Sequence, residues 1–96
     1  MARLVVTPRA ESDVEAAIHT LNLPGDTWDR LARSLRVLED FPLAGRRLAG
    51  TWQNHRAIIG PWGWLVAIYI YFEREDEVRV VAVHDGRTEG AATAER

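Results

Sequence analysis

The chain has no cysteine and no lysine. The first absence excludes a disulfide framework, a thiolate zinc site and a thiol nucleophile. The second excludes any mechanism that requires a lysine; all twelve basic residues are arginine, which GC-rich coding sequence is enough to explain. Long hydrophobic runs are also missing. The longest, over residues 64–72, is far shorter than the ~20 residues of a membrane-spanning helix. The opening MARLVV gives way at once to TPRAESDVE, without the basic start and apolar stretch of a secretory signal. The expectation is a cytoplasmic protein with no membrane association. Acidic residues are absent from 41 to 72, a stretch that holds Arg46, Arg47, His55 and Arg56. The net charge of −2 nonetheless argues against indiscriminate nucleic-acid binding.

At 96 residues the chain forms one domain, burying roughly 60–70 % of the surface its unfolded form exposes. Leu4, Val5 and Val6 make a short strand stopped by Thr7-Pro8. Thr7 suits an N-cap and Pro8 the first helical position. Ala10, Val14, Ala17, Ile18 and Leu21 then recur at helical spacing, with Glu11, Asp13 and Glu15 where the helix dipole favours acids. Asn22-Leu23-Pro24-Gly25 breaks the helix. Asp26 or Thr27 caps a second one, whose apolar stripe is Trp28, Leu31, Ala32, Leu35 and Leu38. Phe41-Pro42 ends it, and Gly45 and Gly50 mark a flexible loop.

Beyond that loop the pattern changes to strands. Residues 56–59 are stopped by Gly60-Pro61. In 64–72, Trp64, Val66, Ile68, Ile70 and Phe72 share one face, and Leu65, Ala67, Tyr69 and Tyr71 the other. Apolar residues on both faces indicate a central strand. Residues 78–84 pair with it across the acidic turn EREDE.

Most chemistry-bearing residues have an ordinary structural explanation. Trp28, Trp52 and Trp64 are expected to pack, and Trp62, between Pro61 and Gly63, to be exposed and to serve a protein interface. Tyr69 and Tyr71 are expected to be half-buried packing residues. His19, His55 and His84 are scattered and no acid–histidine cluster has ligand spacing, so no metal is expected. No glycine-rich loop joins a strand to a helix in a nucleotide-binding pattern, so no cofactor is expected either. Arg46 and Arg47 either engage a partner, lie solvated in the loop, or form salt bridges to nearby Glu39 and Asp40.

Taken in order, PRAESDVEAAI, LEDFPLAGRRL, HRAII, AIYIYF and VRVVAVHDGR resemble the RelE/ParE family of toxins from type II toxin–antitoxin modules. The resemblance implies an α+β fold of order β-α-α-β-β-β: a helical hairpin on a mostly antiparallel four-stranded sheet of residues 4–7, 56–59, 64–72 and 78–84. The toxin domain would span 1–87, followed by a flexible tail over 88–96. The implied partners are a cognate antitoxin and, as target, DNA gyrase or the ribosome with its mRNA.

Within that resemblance Arg56 matches the first basic residue of the family's second strand and Arg87 the arginine closing the fourth. Ile58 and the phrase WLVAIY stand where relatives carry further charge, and no tyrosine follows Arg87. A nuclease would use His84 as acid or base, with Arg56 and Arg87 holding phosphate. The ordinary alternative for His84 is a hydrogen bond to a neighbour. Because a charge-poor face holds phosphate weakly, ParE-like inhibition through binding is expected. Arg46, Arg47, Arg56, Trp62 and Arg87 are then the contact residues. RelE-like mRNA cleavage and an inactive, antitoxin-binding module are the alternatives.

Overall fold

Thr7 and Pro8 start the first helix as their chemistry dictates. In a computed structural model that describes residues 1–87, β1 covers Arg3–Val6 and α1 Pro8–Leu21. The tail expected over 88–96 lies outside the described residues. Thr7 Oγ1 accepts the Ala10 N–H at 3.2 Å, and Pro8 fills a position whose N–H would have had no helical partner. Asn22, left-handed at φ 54°, closes the helix with its N–H on Ile18 O.

The second amphipathic stripe is not one helix. α2 runs Thr27–Leu35, and α3, Val37–Asp40, follows after Arg36. The break sets the last turn beside β1, where the Ala2 N–H donates to Glu39 O (2.8 Å) and Leu38 is fully buried. Asp26 occupies the N-cap of α2, but its carboxylate receives Arg30 Nε at 3.0 Å instead of capping the backbone. The Thr27 hydroxyl donates to Pro24 O.

Five strands form the sheet, in the order β1-β5-β4-β3-β2. They add β2 (Arg46–Arg47), β3 (Arg56–Ile59), β4 (Leu65–Phe72) and β5 (Glu77–Asp85) to β1. β1 runs parallel to β5, and the remaining pairs are antiparallel. The expected four strands are present; the fifth is the Arg46–Arg47 pair, which sequence assigns to a loop. No run of β-branched or aromatic residues announces it.

β4 is central, as its two apolar faces require. Leu65, Ala67 and Tyr69 join Val14, Leu31, Leu35 and Leu38 in one cluster. Val66 and Ile68 join Leu48, Ala57 and Ala82 in another, with Trp52 against it. One sheet face therefore bears the helices, and the far face is covered in part by the segment around Leu48 and Trp52. A bulge shifts the register so that Ile68 pairs Ala82 and Tyr69 pairs Val80. Just past the end of β1, the Val83 N–H finds its acceptor in Asp13 of α1 (2.9 Å). Among the described residues no helix is long and apolar enough to cross a membrane.

Glu77 is buried at the end of the sheet between two arginines. Arg3 and Arg79 both donate to its carboxylate, Arg79 Nε at 2.8 Å. The Arg3 bond, then the Arg79 bond, hold its pKa below the usual carboxylate range. Stability from such a group is complete above the unfolded glutamate pKa, about 4.3. It is lost as pH falls through the lowered folded value. Acid titration of the melting temperature should therefore be steeper for the native chain than for Glu77→Gln; superimposable slopes would contradict this.

Candidate functional site

Between Phe41 and Arg56 the chain turns back along the β3 edge, and one tyrosine fixes how it does so. Tyr69 is wholly buried. Its hydroxyl donates to Pro42 O (2.9 Å) and accepts the Gly45 N–H (2.8 Å). Burial raises its pKa, partly offset by the Gly45 bond and the Arg56 charge, so it stays a neutral phenol holding the loop. Arg56, paired with Tyr69 in register and so on the helix-bearing face, donates to Gly45 O (2.9 Å) and Leu43 O (3.3 Å). Far from flexible, the 42–45 segment is tied down by side chains from two strands.

Those bonds determine which cations face solvent. Arg46 and Arg47 are exposed, and among the described residues neither has an ion-pair partner; the pairing with Glu39 and Asp40 does not form. Arg47 shares its face with Arg56, while Arg46 lies over Ala57 on the other. Arg47, Gln53, Asn54, His55 and Arg56 line a cleft of about 170 Å³. His55 meets Trp52 edge-on at 5.1 Å, and its Nδ1 is buried with no hydrogen-bond partner among the described residues. Sequence reasoning named His55 as a charge but not as part of this cleft. Its place immediately before Arg56 was the available signal.

The nuclease constellation is not brought together. His84 pairs with Val66 and Arg56 with Tyr69. Residues 66 and 69 of one strand point to opposite faces, so His84 lies on the far face and Arg56 on the helix-bearing one. His84 Nε2 is buried without a partner among the described residues, in place of the hydrogen bond expected of an ordinary strand-end histidine. Arg87 folds back onto Asp85 through Nε (3.0 Å) and Nη2 (2.9 Å). That bidentate bond, with the Arg87 N–H, holds the Asp85 carboxyl below its usual range. The register distance between Arg56 and the end of β5, four residues of β4, is about 13 Å.

Trp62 is half-buried, not the exposed ring expected from its Pro-Gly setting. It stacks on Trp64 at 5.6 Å, nearly parallel at 7°. Arg30 lies 6.0 Å from Trp62 and Arg87 lies 4.5 Å from Trp64. Trp64, assigned by alternation to the same face as Val66, packs instead against the helix-side cluster. It precedes β4, so strand alternation does not govern it. Four side chains thus connect α2 to the end of β5, and both flanking arginines also pair with aspartates. Arg87 and Trp62 contribute here to structure before any partner arrives.

No protein-family model matches this sequence, and no curated protein matches it. Among solved structures the arrangement has clear counterparts. The toxin–antitoxin complex RelBE2 from Mycobacterium tuberculosis matches with TM-score 0.68 at 16 % identity, over 88 % of this chain and 90 % of that one. The intact E. coli RelBE complex matches with TM-score 0.65 at 14 % identity, over 92 % and 100 %. The isolated E. coli RelE toxin matches with TM-score 0.64 at 13 % identity, over 94 % and 89 %. The chain has the fold of the RelE toxins.

Proposed function

We propose that this chain is the toxin of a type II toxin–antitoxin module, neutralised by a cognate antitoxin, and that it acts on its target by binding, in the manner of ParE-like gyrase inhibitors. The RelE-type fold supports the module. The observation that favours binding over cleavage is the dispersal of the catalytic candidates: His84 and Arg56 on opposite faces, and Arg87 neutralised by Asp85. Cleavage of RNA needs an acid, a base and a phosphate clamp that all reach one phosphodiester. Of the arginines expected to make contact, Arg46 and Arg47 are exposed and, among the described residues, have no ion-pair partner.

In a DNA gyrase supercoiling assay the purified chain should inhibit. The Arg46→Ala/Arg47→Ala variant should need on the order of tenfold more protein, the effect of removing two contact charges. Full supercoiling at all concentrations of native chain would reject the gyrase reading. The endoribonuclease reading keeps one observation in its favour, the cleft shared by Arg47, His55 and Arg56.

A further inference from the structure

The loop that Tyr69 and Arg56 hold down displays two large apolar side chains. Phe41 is 64 % exposed and Leu43 57 %. With Asp40, Pro42, Ala44 and Tyr71 they line an open cleft of about 640 Å³. Exposed apolar groups on a mobile loop can be incidental, but here the backbone beneath them is fastened. Pro42 O and Gly45 N–H are held by Tyr69, Leu43 O and Gly45 O by Arg56, and the Ala44 N–H by Phe41 O. A patch held in place before binding loses little entropy when it is covered.

The rim is acidic. Asp40 lines the cleft, and among the described residues it has no ion-pair partner. At the other side the Tyr71 hydroxyl donates to Asp76 Oδ1 (2.7 Å). That bond, with the nearby charges of Asp76 and Glu73, raises the Tyr71 pKa. The Met1 amine lies 4.0 Å from Asp76, and Arg56 is behind the loop, engaged with its carbonyls.

We infer that this cleft is a docking surface for a protein segment that inserts an apolar side chain and carries arginine or lysine beside it. Charge selects this occupant. Nucleic acid and anionic lipid would meet Asp40, Asp76 and Glu73 as like charge. A second copy in two-fold pairing would bring the same acidic rim against itself. The surface is distinct from Arg46 and Arg47 and goes beyond the proposed target binding, so the supercoiling result does not bear on it.

The test is selection of a random 16-residue peptide library, displayed on phage, against the immobilised full chain. Selected peptides are then synthesised and titrated by fluorescence polarisation. Expected are sequences pairing a Leu, Phe or Trp anchor with arginine or lysine neighbours. Phe41→Ser/Leu43→Ser should weaken them at least tenfold. Asp40→Asn/Asp76→Asn should weaken them several-fold and flatten their salt dependence, while Arg46→Ala/Arg47→Ala leaves them unchanged. All substituted positions are solvent-facing, and melting curves verify that each variant folds. Acidic peptides, peptides indifferent to the Phe41/Leu43 change, or no enrichment would overturn the inference. So would self-association of the native chain that the Phe41/Leu43 change abolishes, since a second copy would then be the occupant.

Discussion

Gly45→Ala should destabilise the chain by about 3 kcal/mol, combining overpacking with a broken buried hydrogen bond. A Cβ built there lies 2.7 Å from Tyr69 Cε1 and from its hydroxyl, and 2.8 Å from Ala57 O. The tyrosine cannot swing aside, because it is fully buried in the central strand. Backbone must move instead, which separates the Gly45 N–H from the phenol and leaves that N–H without a partner, while the phenol keeps Pro42 O. For a domain of this size the melting temperature should fall by roughly 12–24 °C. Gly25→Ala is the control: nothing lies within 4 Å of its Cβ. It should be neutral or stabilising by up to about 1 kcal/mol. A Gly45→Ala chain melting with the native one would mean the loop is not held as described.

Leu38→Ala should cost a further-reaching 2–5 kcal/mol, the range for emptying a buried leucine site. Leu38 is fully buried, whereas its neighbour Val37 is 40 % exposed. It sits in a helix of a single turn that the Ala2–Glu39 bond joins to β1. So short a helix has no stability of its own, and its position depends on that side chain. Urea titration should show the midpoint fall for Leu38→Ala and hardly move for Val37→Ala. Comparable losses at the two positions would contradict the assignment of Leu38 as the anchor.

Leu38 also shows what periodicity reveals. Its burial was legible, because it continues the apolar stripe of Leu31 and Leu35; the break at Arg36 was not, because no glycine or proline marks it. The Thr7-Pro8 start of α1 and the central place of β4 were equally plain, since cap chemistry and two-sided apolarity are local signals. Asp13 was not: its acceptor role for the Val83 N–H spans seventy residues. At the candidate site, composition located the arginines but not their partners. Arg56 and Arg87 look alike in sequence to Arg46 and Arg47. Only the fold shows the first two engaged by carbonyls and by Asp85. The exposure of Phe41 and Leu43 was likewise hidden, because it results from a phenol twenty-odd residues away holding the loop beneath them.

The most direct measurement of whether this chain acts by binding is the mapping of mRNA ends on translating ribosomes after addition of purified protein. With the catalytic candidates split between the two faces of the sheet, the transcripts should remain intact, and His84→Ala should change nothing. Discrete new 5′ ends that appear with the native chain would contradict that account; their loss in His84→Ala would assign cleavage to His84, and their persistence would assign it to other residues.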